Sequence, residues 1–261
     1  RQRIDDLVFD TPTPDGDSSG VVLRAEYLSG NVRDKLDLAR QAAAVDPRWQ
    51  HNVTALRAVL PPDLGPGEIT AALGAVWIPA EDHTLFMREV LQDRQAKVTH
   101  IHGSEWVVEG NKWSMSATHD WGTRRLTAPE LIQRLLTQTQ ILVKDSHTDC
   151  DGSKIDTLNA TETEAAQAKA RLLAQRFAGW VWEDPERGAR LQAEYNRRFN
   201  SIVLRDYSAE GQQLTFPGLV SSFTPRPHQR AAVARMLNEP SVGLFHVVGA
   251  GKTAEMIIGA T

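Results

Sequence analysis

The sequence VGLFHVVGAGKTAEMIIGAT spans residues 242–261 and joins an apolar run to a glycine-rich turn and an apolar helical pattern. The run 242–248 is almost wholly apolar, which is typical of a strand buried on both faces of a parallel sheet. Gly249 and Gly251 permit a tight turn, and the residues after Thr253 show helical spacing. This stretch therefore predicts a strand, a loop and a helix in the order that begins an α/β sheet domain.

The turn also has the residues that a phosphate-binding loop requires. Glycines allow backbone N–H groups to face a phosphate, and the following helix adds the positive end of its dipole. Lys252 would reach the β- and γ-phosphates of a nucleotide, and the Thr253 hydroxyl would be a ligand of Mg²⁺. The first position of the pattern is His246 instead of glycine, a departure that the edge of a strand tolerates. The predicted phosphate-binding residues are Val248, Gly249, Ala250, Gly251, Lys252 and Thr253.

A second motif precedes this loop in the sequence. Residues 223–229 read FTPRPHQ and head an amphipathic helical pattern, with Gln229 placed 20 residues before Gly249. A glutamine amide donates and accepts hydrogen bonds, so it can pair with the N6 and N7 edge of adenine. Gln229 and Arg226 therefore complete the predicted ATP-binding set, in which Gln229 selects adenine.

The two motifs together resemble superfamily 2 helicases and translocases, in particular the Swi/Snf-type branch, where an R-P-x-Q element precedes the phosphate loop. Further segments are similar to one family of very large helicase–adenine methyltransferase fusion proteins of plasmids, phages and integrative elements, akin to phage antirestriction proteins. These segments are YLSGNVR at 27–33, LGAVWIP at 73–79, WGTR at 121–124 and FNSI at 199–202. The resemblance covers most of residues 25–261.

The resemblance implies a role for the whole protein. In that family an adenine-specific DNA methyltransferase domain lies upstream and two RecA-like motor domains lie downstream, so this chain would bridge neighbours in one polypeptide. The implied activity is that of an ATP-dependent DNA helicase or translocase of restriction–modification or antirestriction, with ATP and Mg²⁺ as cofactors and DNA as partner. Because the sequence starts at Arg1 and stops before any Walker-B acidic pair, we expect an excised piece that does not hydrolyse ATP alone.

The composition excludes several classes of protein and of site. Apolar residues make up 41 % of the chain and charged residues 24 %, which is ordinary for a soluble globular protein. No apolar run approaches the roughly 20 residues of a membrane span, so we expect a cytoplasmic protein without membrane contact. Cys150 is the single cysteine, which excludes an internal disulfide and a cysteine-rich zinc site. The net charge of −4 provides no general basic surface for nucleic acid.

The patterns predict an α+β accessory region with a helical hairpin, followed by the start of a RecA-like α/β motor lobe. The assigned parts are a linker at 1–20, the α+β accessory domain at 21–155, a helical hairpin connector at 156–215 and the motor lobe at 216–261. The predicted helices outside the connector and the lobe are 31–45, 48–60, 68–74, 81–91 and 127–138. The predicted strands outside the lobe are 21–28, 97–102, 105–109, 113–118 and 140–145.

The connector has the clearest helical pattern in the chain. Residues 159–162, NATE, fit a capping box at its start. Apolar residues then follow at spacings of four and three, which places them on one face of a helix. These residues are Ala166, Ala170, Leu173, Phe177 and Trp180. Asp184 and Pro185 cap and start a second helix, so the connector is predicted to be a helical hairpin.

Four arginines lie on the second helix of this hairpin and are candidate DNA contacts beside the motor. They are Arg187, Arg190, Arg197 and Arg198. Their acidic neighbours favour a solvated helix face instead. A second hypothesis therefore treats the region as a non-catalytic coupling or docking module between methyltransferase and motor. Two further alternatives are a winged-helix-like DNA-binding module within 31–109 and an unrelated phosphate-loop enzyme such as a small kinase.

Two weaker features favour structural readings. The loop at 145–151 contains Asp145, His147, Asp149, Cys150 and Asp151 but lacks the spacing of a calcium loop, which favours a solvated acidic turn. Tryptophans in the predicted small sheet favour a core role over stacking on unpaired bases. They are Trp106, Trp113 and Trp121.

Overall fold

The chain divides into two compact units, and a computed structural model describes residues 8–102, 105–148, 154–220 and 222–260. One unit is continuous and consists of Pro62–Asn200; we call it the inserted unit. The other combines the described residues on both sides of that segment, and we call it the split unit. Both contain helices and small antiparallel sheets, which confirms a mixed α+β fold.

The first half of the split unit begins with a β-hairpin. Its elements are β1 Val8–Pro12, β2 Ser18–Leu23, α1 Arg24–Tyr27, β3 Gly30–Asn31, α2 Val32–Val45, a 3₁₀ turn Pro47–Trp49, and α3 Gln50–Val59. The turn TPDG after β1 closes with a 3.0 Å bond from the Gly16 N–H to the Thr13 carbonyl. The Gly16 carbonyl in turn accepts the indole N–H of Trp49 at 2.8 Å. This part of the chain, predicted as linker up to residue 20, therefore packs on the 3₁₀ turn and the helix after it.

The inserted unit contains most of the buried apolar side chains. Its elements are α4 Ala80–Leu91, β4 Lys97–His100, β5 Trp106–Glu109, a π-helical turn Ser116–Asp120, α5 Ala128–Leu136, β6 Lys144–Thr148, β7 Lys154–Leu158, α6 Ala160–Glu183 and α7 Pro185–Phe199. Strands β4 and β5 pair antiparallel, as do β6 and β7, with His100 opposite Trp106 and Lys144 opposite Leu158. The predicted hairpin turn at 103–104 and residues 149–151 of the predicted acidic loop lie outside the described residues, whereas Asp145 and His147 of that loop lie in β6.

Helices α6 and α7 form the predicted helical hairpin. All five residues of the predicted seam are buried, and Phe177 contacts Phe86 of α4 edge-on with ring centroids 5.0 Å apart. The side chain of Asp184 accepts the backbone N–H of Arg187 at 2.7 Å, which caps α7. On α7, buried Asn196 accepts the Leu64 N–H at 2.8 Å and donates to the Leu64 carbonyl at 3.0 Å.

The second half of the split unit completes the described chain. Its elements are β8 Ile202–Val203, α8 Ser208–Gln213, α9 Pro227–Asn238 and α10 Lys252–Ala260. Strand β8 pairs with β3, with Gly30 opposite Val203, so the two halves share a short antiparallel ladder. Tyr207 donates to Glu239 at 2.7 Å, which connects the start of α8 to the end of α9. Burial raises the pKa of this tyrosine, and its hydrogen bond lowers the pKa of Glu239.

Several predicted elements differ from the structure. Residues 68–74 form no helix; they consist of turns and irregular chain, in which the Glu68 and Ile69 N–H groups bond to the Gly65 carbonyl and Ile69, Ala71 and Leu73 are buried. Residues 113–118 form no strand; they lead into the π-helical turn, and Trp113 is 90 % exposed instead of in the core. Strand β6 begins only at Lys144, because the Val143 N–H bonds to the Thr163 hydroxyl at 2.9 Å. The predicted strand at 21–28 ends at Leu23, because α1 begins at Arg24.

Candidate nucleotide-binding site

The glycine-rich loop leads into the N-terminus of α10. Gly249 and Gly251 have φ values of +83° and +89°, and the Ala250 N–H bonds to the Val247 carbonyl at 3.2 Å. Helix α10 begins at Lys252, two residues before the predicted helical spacing. The first N–H groups of a helix have no partner within it, and they lie at the positive end of its dipole. The loop therefore has the backbone geometry that suits an anion.

Lys252 folds back over the segment before the loop. Its ammonium group donates to the carbonyls of His246 at 2.8 Å and Val247 at 3.1 Å. These partners are neutral, whereas a phosphate oxygen would give a stronger charge-assisted hydrogen bond. The lysine is therefore held beside the loop by partners that an anion can replace.

Gln229 joins the second motif to the loop. Its side chain is buried, its Oε1 accepts the Arg226 N–H at 2.9 Å, and its Nε2 donates to the Ala250 carbonyl at 3.2 Å. A Cβ atom on Gly251 would collide with this amide, and its φ of +89° also favours glycine. The sequence therefore brings Gln229 to the predicted loop, but in this structure its amide binds the backbone and does not face an open space for a base.

The other predicted ATP-binding residues are accessible. Arg226 and Thr253 are exposed, and Val248 is 99 % exposed. The hydroxyl of Thr253 lies one residue after Lys252 in the first turn of α10, the position that the phosphate-loop pattern assigns to a Mg²⁺ ligand.

The strand predicted at 242–248 is wrong for this structure. The segment has no regular strand among the described residues, and Phe245, Val247 and Val248 are 96 %, 79 % and 99 % exposed. A strand requires a neighbour for its backbone hydrogen bonds, and the four described sheets each contain two strands from elsewhere in the chain. The apolar pattern is present, but no sheet in the described part of the chain receives it.

A cluster of two histidines and one glutamate lies next to the loop and was missed by the sequence reasoning. His228 comes from the first turn of α9, His246 from the segment before the loop and Glu255 from the first turn of α10. One ligand atom from each lies within 4.8 Å of the other two. The only signal in the sequence was His246 itself, which replaces the first glycine of the phosphate-loop pattern.

The four candidate DNA-binding arginines all have partners inside the protein. The Arg187 guanidinium lies 3.5 Å from the Trp180 ring centroid, and Arg190 donates to buried Asp82 at 2.7 Å. Arg197 and Arg198 both contact Glu194, and the hydrogen bond from Arg198 is the main cause that lowers the pKa of this glutamate. The side chains of Arg190, Arg197 and Arg198 remain about half exposed.

None of the described helices combines the length and apolar character that a membrane span requires. A family model described as a domain of unknown function (DUF8437) matches residues 72–201. Comparison with curated proteins and with solved structures gave no match. The matched range nearly coincides with the inserted unit and ends before α9 and the glycine-rich loop, so the loop lies outside the similarity to that family.

Proposed function

We propose that residues from about 216 onward begin the nucleotide-binding lobe of an ATP-dependent DNA translocase or helicase of the superfamily 2 type. In this proposal the longer polypeptide also carries an adenine-specific DNA methyltransferase and serves restriction–modification or antirestriction of mobile elements. The observation that carries the proposal is the contact between the two motifs. Gln229 donates a hydrogen bond to the carbonyl of Ala250, which belongs to the glycine-rich loop before the helix that begins at Lys252.

Binding of ATP at this site would use groups that the loop already orients. The phosphates would accept backbone N–H groups around Gly249 and Gly251 and the first N–H groups of α10. Lys252 would exchange its two carbonyl partners for the β- and γ-phosphates, and Thr253 would hold Mg²⁺. The net gain comes from replacing neutral acceptors with charged ones.

Adenine recognition requires Gln229 to exchange partners. Its amide would leave the Arg226 N–H and the Ala250 carbonyl and take up the N6 and N7 edge of the base. The Ala250 carbonyl would then keep only its contact with His228 Nε2 at 3.1 Å, which would leave the loop freer to adjust around the phosphates. Base recognition and phosphate binding would thus be coupled through one hydrogen bond.

The exposed apolar side chains of 242–248 support the RecA-like part of the proposal. Phe245, Val247 and Val248 offer an apolar row of the kind that parallel sheets bury on both faces. In a complete motor lobe, further strands would pair with this segment and cover these side chains.

Nucleotide binding by residues 1–261 tests the proposal directly. We expect calorimetry to detect binding of Mg-ATP. Lys252→Ala should lower the affinity more than about tenfold, because it removes charge-assisted hydrogen bonds to phosphate. The control variant Lys97→Ala, at an exposed lysine, should bind as the wild type does. Gln229→Ala should reduce the preference for ATP over GTP. Equal affinity in Lys252→Ala and the wild type, or no binding by either, contradicts the proposed site.

A second assay addresses the motor. In a longer polypeptide that continues beyond residue 261, DNA should stimulate ATP hydrolysis, and Lys252→Ala should abolish the stimulation. An unchanged DNA-stimulated rate in the variant would remove Lys252 from this role. Residues 1–261 alone are expected to show no hydrolysis.

The second candidate function is coupling or docking without direct DNA contact. It is favoured by the intramolecular partners of the four arginines and by the net charge of −4. The winged-helix alternative has less support, because 68–74 is not helical and α2 and α3 belong to a different unit from α4. Binding of a short duplex at low salt separates the functions: weaker binding after joint replacement of Arg197 and Arg198 by alanine favours a DNA role, and no binding favours docking.

A further inference from the structure

Glu255 lies at the centre of the cluster next to the glycine loop. Its side chain is fully buried, and its Oε1 is 2.9 Å from His246 Nδ1 and 3.8 Å from His228 Nε2. Its Oε2 is also buried and has no hydrogen-bond partner among the described residues. A buried carboxylate is costly unless other groups compensate its charge, and a metal ion does so most completely.

The spacing of the three ligand atoms fits a single small cation. Zn²⁺ lies about 2.0–2.1 Å from imidazole nitrogen and about 2.0–2.2 Å from carboxylate oxygen, with tetrahedral angles, so its ligand atoms are about 3.3 Å apart. The two separations between Glu255 and the histidines, 2.9 and 3.8 Å, lie on either side of that value, and the two imidazole nitrogens lie within 4.8 Å of each other. Movement of the two imidazoles towards each other is therefore needed to place all three atoms around one ion.

We propose that His228, His246 and Glu255 form a Zn²⁺ site that joins α9, the segment before the glycine loop and α10. Two imidazoles and one carboxylate suit zinc, whereas Mg²⁺ and Ca²⁺ prefer oxygen ligands. Water occupies the fourth position. This site is distinct from the Mg²⁺ that accompanies a nucleotide at Thr253.

The surroundings allow His228 to become a ligand without leaving another group unpaired. Its Nε2 lies 3.1 Å from the Ala250 carbonyl, which also accepts Gln229 Nε2 at 3.2 Å. When His228 turns to the ion in the nucleotide-free protein, Gln229 still satisfies that carbonyl. Both histidines also line a cavity of about 300 Å³ in the split unit, which provides an entry path for a hydrated ion.

Zinc binding by the metal-free protein, without nucleotide, tests this site. Titration calorimetry should give one Zn²⁺ per chain and a raised Tm, and neither Mg²⁺ nor Ca²⁺ should compete. X-ray absorption of the zinc-loaded protein should show a shell of nitrogen and oxygen near 2.0–2.1 Å with imidazole scattering. A zinc-to-protein ratio below one, or a sulfur shell indicating binding at Cys150, overturns the proposal.

Matched variants locate the ion. His246→Gln and Glu255→Gln should each weaken Zn²⁺ binding by more than about tenfold. Loss of a residue that only hydrogen-bonds to a metal ligand already lowers metal affinity by about that factor, and loss of a ligand itself should lower it at least as much. The exposed His102→Gln controls for loss of an imidazole elsewhere and should bind as the wild type does. If Glu255→Gln does not fold by circular dichroism, His228→Gln provides the same test from an exposed position. Wild-type affinity in the cluster variants contradicts the site, whatever the result for nucleotide binding.

Discussion

Gly251 shows how a single residue keeps the two motifs together. Its φ of +89° is unfavourable for other residues, and a Cβ atom would meet the Gln229 amide that bonds to Ala250. We expect Gly251→Ala to lower the free energy of unfolding of the split unit by about 2 kcal/mol, from backbone strain plus the displaced amide. Urea unfolding followed by amide hydrogen exchange in α9 and α10 measures this change.

Gly249 provides the matched control for this prediction. Its φ of +83° is similar, but a Cβ atom there would meet nothing within 4 Å. Gly249→Ala should therefore cost only the backbone part, about 1 kcal/mol. Equal losses in the two variants would show that the contact between Gly251 and Gln229 contributes nothing.

The same residues show what the sequence could predict at this scale. Motif spacing predicted that Gln229 and the glycine loop belong to one site, and in the structure the Gln229 amide lies 3.2 Å from the Ala250 carbonyl. It could not predict that the Gln229 amide bonds to Ala250, since that contact depends on how α9 packs near α10. Nor could it predict that His228, His246 and Glu255 converge, because the three residues come from different elements.

At the scale of elements, the start of α7 can be tested through its cap. Asp184 accepts the Arg187 N–H at 2.7 Å, and Pro185 occupies the first turn. Asp184→Ala should destabilise the inserted unit by about 1 kcal/mol, and Asp184→Asn by only a few tenths, because asparagine also accepts this bond. Thermal unfolding followed by tryptophan fluorescence distinguishes the two variants, and equal losses would contradict a capping role.

Local signals predicted helices better than strands. The seam on α6 and the caps at Asn159 and Asp184 are local in sequence, and those helices are confirmed. The strand at 242–248 needs partners that the described chain does not supply, so its apolar pattern was insufficient. The helix predicted at 68–74 was wrong for a different reason: four apolar residues in seven are too few to distinguish a helical face from an irregular buried segment.

At the scale of the whole molecule, His83 gives the inserted unit a pH-dependent stability. It is buried, its Nδ1 lies 3.0 Å from the Pro79 carbonyl, and its Nε2 accepts the Gly74 N–H at 3.3 Å. Burial lowers the pKa of His83 below its ordinary value of 6.5. As the pH falls, this histidine therefore binds a proton in the unfolded chain before it does so in the folded one. Its contribution to the free energy of unfolding is complete above pH 6.5 and is lost as the pH drops from 6.5 towards the folded pKa.

His83→Gln checks this pH dependence. Glutamine keeps a donor and an acceptor but does not titrate, so the fall in the free energy of unfolding below pH 6.5 should be shallower than in the wild type. The exposed His102→Gln should retain the wild-type slope. Urea unfolding between pH 5 and 8, followed by hydrogen exchange in α4, provides the measurement, and identical slopes in all three proteins would contradict the role of His83.

The position of Pro62 and Asn200 has a consequence for how such a chain is assembled. The Asn200 amide donates to the Pro62 carbonyl at 2.7 Å, so the segment between them leaves and returns at neighbouring points. When the two ends of a segment lie close together, a short linker can replace the segment. The remaining chain then loses little conformational entropy when it folds around that linker. A short glycine–serine bridge from Pro61 to Ser201 should therefore yield a foldable miniature that retains the glycine loop, and the excised segment should fold when expressed alone.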